Sequence, residues 1–279
     1  MFSKKILRII VWVIIFFCFA LIPANAVQKK AKKIPFYRIS AQSALLFDES
    51  GWRKYYSKRV DSKVLPASTT KIMTALIVLE RKRLDDIVVV GPNAERVLPS
   101  KIDIKKGEKY RVRDLLYAII LNSANDASVA LAESVSGSQE KFVALMNQRA
   151  RQLGARHTVF VNSHGLPSKA AQYSTAYDMF LIFRQALKRE FFREAIKIKY
   201  MTIHSQKGRK IALKSHNSSL FKGWKEGVYG KTGYTLSAQA CFVGHIIKGG
   251  KHLFIAVFGC TSRWDDVKYI IEKYGGIDL

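Results

Sequence analysis

A serine and a lysine three residues apart are the first candidates for chemistry, in the stretch Pro66-Ala67-Ser68-Thr69-Thr70-Lys71-Ile72-Met73-Thr74-Ala75-Leu76. A proline, a Ser/Thr cluster and then apolar residues at helical spacing predict a helix start. Residues three apart share a helix face, so the Ser68 hydroxyl and the Lys71 amine point the same way. The positive end of the helix dipole favours an alkoxide at Ser68. A hydroxyl nucleophile with an amine base one turn on is the Ser-Lys form of acyl-transfer chemistry. About one Ser-x-x-Lys is expected by chance in a chain this long. Alone, the pair also fits a capped helix with a surface lysine.

Two further groups change that balance. Ser123-Ala124-Asn125 falls where the apolar helix expected over 113–121 breaks before a second helix. Lys231-Thr232-Gly233 falls in a short β-rich segment. Lys-Thr-Gly is expected by chance in only about one chain in twenty of this length. Helix start, interhelical turn and strand are settings from which such groups can converge on one cleft. Locally, Ser123 and Asn125 also suit plain helix caps, and Lys231 a solvated charge on a sheet edge.

With these three elements in order, the chain resembles the penicillin-recognising serine D,D-peptidases, and more closely the low-molecular-mass D-alanyl-D-alanine carboxypeptidases. The resemblance spans roughly 41–264. It includes 66–74, Asn122 to Ala127, Gly137-Ser138 through Met146-Asn147, Asn162 to Leu166, Tyr173 to Asp178, and Lys231-Thr232-Gly233-Tyr234-Thr235. It implies that Ser68 attacks the carbonyl of the penultimate D-Ala of a peptidoglycan stem peptide and releases the terminal D-Ala. Lys71 must be neutral to take the Ser68 proton, and burial beside Lys231 would lower its pKa. Ser123 would relay the proton to the leaving amine. Asn125 would hold Lys71 and the substrate amide. Lys231 and Thr232 would receive the substrate carboxylate, with Gly233 leaving room for substrate backbone along the strand. The backbone N–H groups of Ser68 and Tyr234 would form the oxyanion hole. β-Lactam antibiotics are the implied covalent inhibitors.

The histidines lack metal-ligand spacing such as His-Glu-x-x-His, so no metal or other cofactor is expected. His164, in the Asn-x-His-Gly-Leu loop typical of the family, reads as structural. Pro167 stands where the family often has Asp, and Gln239 follows Ala238 where the family usually has Ala-Gly. Both departures leave carboxypeptidase and cross-link-cutting D,D-endopeptidase open as alternatives. A serine β-lactamase uses similar motifs, but no glutamate matching its deacylating residue follows Asn125. A non-catalytic wall-binding module would not need Ser68, Lys71 and Lys231 intact.

The elements that must position these groups follow in turn. Strands are expected at 43–47 and 54–60, the Ser68 helix to about Arg83, and a turn-rich stretch over 85–110. Helices are expected over 113–121, to Glu133, and over 139–153, 177–188 and 190–196. Short strands follow 199, and a last apolar-faced helix over 265–274 docks on the sheet. This order predicts an α+β fold of the β-lactamase/D,D-peptidase kind, an antiparallel sheet built from both chain ends with flanking helices. A mostly helical lobe, roughly 84–199, is inserted in it, and the active site lies where the lobes meet.

Lys4, Lys5 and Arg8 precede an apolar run from Ile9 to Ile22 and Ala24-Asn25-Ala26, the pattern of a secretory signal peptide over 1–26. The run is short for a membrane span, though an uncleaved anchor is the alternative. Residues 27–38 read as a basic leader and 39–279 as the catalytic domain, with no C-terminal β-domain. The net charge is +26. Without the signal, 44 Lys and Arg face 21 Asp and Glu, a net +23 that suits anionic lipids or wall polymers. Export and the lack of a nucleic-acid motif argue against nucleic acid. Cys241 and Cys260 flank a Lys248-Gly249-Gly250-Lys251 hairpin, whose register puts them diagonally on one face. That is near the limit for a disulfide, with two free buried thiols as the alternative.

Overall fold

The computed structural model describes residues 37–279. The expected signal peptide and all but the end of the basic leader lie outside the described residues. Strands β1 (Ser43–Asp48) and β2 (Arg53–Lys58) come from the front of the chain, and β7 (Tyr229–Thr235), β8 (Gln239–Lys248) and β9 (Lys251–Cys260) from its end. They form one antiparallel sheet in the order β2-β1-β9-β8-β7. The strand that carries Lys231 is therefore an edge, open along one side to an extended chain.

Alternation along the strands divides the apolar side chains between two layers. Leu45, Phe47, Val243, Phe254, Ala256 and Phe258 face the helices, while Leu46, Phe242, Leu253, Ile255 and Val257 pack with Val267, Ile270 and Ile271 of the last helix. That helix, expected to run to Tyr274, stops earlier and widens into a π-helical turn at Ile271–Gly275. It docks on the sheet as its periodicity predicts. Its buried Asp266 accepts from Ser40 N at 2.7 Å and Ala41 N at 2.9 Å, which fixes the start of the described chain.

The inserted helices are α1 (Lys71–Arg81), α2 (Pro92–Arg96), α3 (Val112–Ile120), α4 (Asn125–Ser136), α5 (Gln139–Gln152), α6 (Ala176–Leu187) and α7 (Glu190–Ala195). The C-terminal one is α8 (Arg263–Ile270). The turn-rich stretch holds the short α2 and the strand pair β3 (Ile87–Val89) and β4 (Lys109–Arg111). A second hairpin, β5 (Tyr200–His204) with β6 (Lys210–Lys214), brings the chain back towards the main sheet. Ile72, Met73, Ala75, Leu76 and Val78 of α1 are all fully buried. Each large apolar side chain so buried contributes about 1.5–3 kcal/mol, so the helix that carries Lys71 and continues the Ser68 turn is firmly anchored in the core. Among the described residues, no helix is long and apolar enough to cross a membrane.

The cysteines depart from the expected geometry. The hairpin pairs Lys248 with Lys251 as anticipated, but the register slips between Ala240 and Phe242, and Cys260 lies opposite Ala240. Gly259, at φ +65°, takes up the extra residue. A one-residue slip turns the following side chain to the other face. Cys241 accordingly joins the helix-side core and Cys260 the opposite one, and both are free thiols.

Candidate active site

Ser68 sits in a single 3-10 turn, Ala67–Thr70, that runs straight into α1. A three-residue turn eclipses positions i and i+3, so Lys71 stands over Ser68 more directly than an α-helix would place it. Lys71 Nζ lies 3.1 Å from Ser68 Oγ, 2.7 Å from Asn125 Oδ1 and 2.7 Å from the His164 carbonyl oxygen. A neutral amine has two N–H bonds and one lone pair. With both N–H bonds taken by the two carbonyl-type oxygens, which can only accept, the lone pair is left for the serine hydroxyl. Burial, then the positive charge of Lys231, pushes the Lys71 pKa well below its ordinary value.

Asn125 is the first residue of α4 and is itself tied down, its Nδ2 donating to the Leu98 carbonyl at 2.9 Å. Just before it, Ser123 adopts φ +58°, a left-handed conformation unusual for serine. From there its Oγ accepts from Lys231 Nζ at 2.9 Å. Lys231 also donates to the Thr232 carbonyl at 3.1 Å and is 1 % exposed. Burial and the neighbouring Arg263 guanidinium push its pKa down to about 7.

Gly233 comes against the nucleophile turn: a Cβ built on it would lie 3.1 Å from both Ser68 N and Pro66 O. No side chain fits between strand and turn without one of them giving way. Gly165, at φ +88°, is closer still, with its Cβ position inside the Ala67 carbonyl. Ser68, Ser123, Asn125, Thr232, Gly233 and Tyr234 all line one cleft of about 550 Å³. Lys71 and Lys231 lie beneath it. All eight residues singled out from the sequence thus gather at this place, along the open edge of the sheet and against the helical insertion.

Three participants were not legible in the sequence. His164 takes part through its carbonyl oxygen, while its ring Nδ1 accepts from Leu166 N at 3.2 Å, in keeping with a structural role for the imidazole. A backbone acceptor has no side-chain signature. Arg263 lines the cleft and donates to the Gly233 carbonyl at 3.1 Å and the Cys241 carbonyl at 3.0 Å. His216 also lines the cleft. The last two lie 15 residues before and 32 after Lys231, with no local motif to mark them. Among the described residues, no group of three or more His, Cys, Asp or Glu is arranged to hold a metal ion.

Residues 26–262 match the family described as D-alanyl-D-alanine carboxypeptidase. The chain belongs to that family. It is 32% identical to D-alanyl-D-alanine carboxypeptidase DacF of Bacillus subtilis over 93% of this chain and 67% of the relative. It is 34% identical to DacC of Escherichia coli over 88% of this chain, spanning only 62% of that longer protein. Among solved structures, the Streptomyces K15 DD-transpeptidase superimposes with a TM-score of 0.80 at 28% identity, covering 88% of this chain and all of that one. The D-alanyl-D-alanine carboxypeptidase of Mycobacterium tuberculosis gives 0.81 at 28% identity, covering 89% and 96%. The family's fold is thus the expected α+β arrangement, and its members are serine D,D-peptidases.

Proposed function

We propose that this chain is an exported serine D,D-carboxypeptidase that removes the terminal D-Ala from peptidoglycan stem peptides. The observation that carries the reading is the pair of buried lysines, one 3.1 Å from the Ser68 hydroxyl and the other 2.9 Å from the Ser123 hydroxyl, with both serines lining one cleft. A stem peptide lies along β7 with its free carboxylate at Lys231 and Thr232. Neutral Lys71 takes the Ser68 proton as Ser68 Oγ attacks the penultimate D-Ala carbonyl. The N–H groups of Ser68 and Tyr234 receive the oxyanion. The proton passes through Ser123 to the leaving amine, D-Ala departs, and water hydrolyses the acyl-enzyme. β-Lactams acylate the same oxygen.

The signal pattern at 1–26 and the strong positive charge support export to a cell wall rich in anionic lipids or polymers. Incubation with a stem pentapeptide and with a cross-linked dimer tests the assignment. Free D-Ala from the pentapeptide is expected. Monomers released from the dimer, with the pentapeptide untouched, would make the chain an endopeptidase instead. Mass spectrometry after penicillin treatment should find the adduct on Ser68.

A further inference from the structure

Between Glu194 and Glu226 the chain runs 31 residues without an acidic side chain, and eight of them are Lys or Arg. The stretch holds β5, β6 and a 3-10 turn at Ser218–Phe221. Three of its eight cations are neutralised, Lys197 by Glu194, Arg209 by Glu108 and Lys225 by Asp278. Lys199, Lys207, Lys210, Lys214 and Lys222 are exposed, and none has an ion pair among the described residues.

The hairpin sorts these groups by face. Ile203 and Leu213 are buried beneath it, so alternate residues point outward. The outer face carries the cross-strand pairs Tyr200–Lys214, Thr202–Ala212 and His204–Lys210, with Lys207 in the turn beyond. Apolar rings stand among the lysines. Tyr200 is 62 % exposed and Phe221 39 %. The two rings meet edge to face at 5.6 Å, and the Lys199 and Lys214 amines lie 5.8 and 5.5 Å from the centre of the Phe221 ring.

Unpaired lysines at this density attract any polyanion. The rings discriminate between polyanions. A phosphate polymer in water leaves an exposed ring wet, whereas a bilayer takes it in at the head-group boundary while lysines beside it reach the phosphates. Resting on the export in the reading above, and not on its reaction, we infer that the outer face of the β5–β6 hairpin and the adjoining Phe221 turn form a docking surface for an anionic lipid bilayer. Tyr200 and Phe221 enter the head-group layer, and the five lysines pair with lipid phosphates. Lys214 and Ser218 also line the catalytic cleft, so docking holds the cleft beside the membrane surface.

The test sediments the chain from residue 27 onwards with phosphatidylcholine vesicles, either plain or containing about one-third phosphatidylglycerol. Binding should require the anionic lipid. Each lysine at such a surface is worth about a factor of five in partition. Lys207→Ala, Lys210→Ala and Lys222→Ala together should therefore weaken binding by about a hundredfold. Lys141→Ala, Lys188→Ala and Lys273→Ala together remove the same charge from exposed positions on other elements, and should weaken it by less than about tenfold. Tyr200→Ser should weaken vesicle binding several-fold and leave the Kd for soluble poly(glycerol phosphate) unchanged. Equal losses from the two triple variants would reduce the effect to net charge and overturn the inference. So would equal binding to plain vesicles, or a Tyr200→Ser chain that binds anionic vesicles as before, which would assign the face to a soluble polymer. D-Ala release from the soluble pentapeptide should stay within about twofold in every variant, since none of these residues belongs to the catalytic machinery. Docking without D-Ala release would sink the reaction alone, and D-Ala release without docking would sink the surface alone.

Discussion

Lys71 Nζ and the His164 carbonyl oxygen are 2.7 Å apart, and that contact, with Asn125 Oδ1 at the same distance, leaves the lysine one free direction, towards Ser68. Two acceptors that cannot donate do more than hold the amine in place. They decide which face of it carries the lone pair, and burial beside Lys231 keeps that lone pair free of a proton.

An Asn125→Asp substitution tests this directly. A carboxylate 2.7 Å from the amine favours the ammonium form, so the Lys71 pKa rises and the base is protonated at neutral pH. The rate of Ser68 acylation by a fluorescent penicillin should fall by about two orders of magnitude at pH 7. It should recover as the pH is raised, whereas Asn125→Ala should be slow at every pH. A pH profile of Asn125→Asp parallel to that of the unsubstituted chain would refute the proton assignment.

Gly233 tests the fit of strand against turn. In Gly233→Ala, the added methyl would sit 3.1 Å from Ser68 N and Pro66 O and 3.2 Å from Ala67 Cβ, against backbone with little freedom to yield. The oxyanion donor moves with the turn, and loss of one such donor costs about 2.7–4 kcal/mol in kcat. Acylation should slow by at least tenfold, while overpacking lowers stability by about 1–3 kcal/mol. A variant with the original acylation rate would mean that strand and turn separate easily.

How far the site could be read in advance follows from what each part is made of. Ser68, Lys71, Ser123, Asn125 and the Lys231 strand act through side-chain type and short spacing, which a sequence displays. The sheet's antiparallel character and its assembly from both chain ends followed from the order of periodic segments. His164 acts through its backbone, Arg263 through a fold-level approach of α8 to β7, and neither leaves a local trace. The 3-10 form of the Ser68 turn depends on its packing against Gly165 and Gly233, a tertiary effect beyond the reach of helical periodicity. The cysteine geometry failed for a different reason. A Gly-Gly turn fixes hairpin register only as far as the ladder runs unbroken, and the bulge at Gly259 turns the end of β9 over.

That bulge yields its own prediction. Cys241 and Cys260 sit in cores on opposite faces of the sheet, both almost fully buried, and burial pushes the Cys241 thiol up to about 11. A raised pKa leaves little thiolate at neutral pH, and burial denies access to reagents. In the chain from residue 27 onwards, native protein should show almost no reaction with a thiol reagent, and denatured protein should release two equivalents. A mild oxidant should produce no intramolecular disulfide. An internal cross-link found by peptide mapping of the native protein would contradict the register described for β8 and β9.

The alkaline limb of activity should belong to Lys231. Its ammonium is held down to about 7 by burial and by Arg263, so in the free enzyme the charge that meets the substrate carboxylate is half lost at that pH and falls tenfold with each further unit. For a carboxylate-bearing peptide, kcat/KM should therefore decline from near pH 7 upwards. The bound carboxylate favours the ammonium, so kcat, which reports the complex, should hold to a higher pH. The same shift has a sign in folding. An amine whose pKa is lower folded than unfolded binds fewer protons in the native state, so its burial weakens the fold fully below pH 7 and progressively less up to the unfolded value near 10.5. Relative to Lys231→Met, the unsubstituted chain should gain stability across that window, at a slope approaching about 1.4 kcal/mol per pH unit. Denaturant midpoints for the two proteins at pH 6, 8 and 9.5 measure it, and a difference that stays constant or moves the other way would show that Lys231 is not held near neutrality in the folded chain.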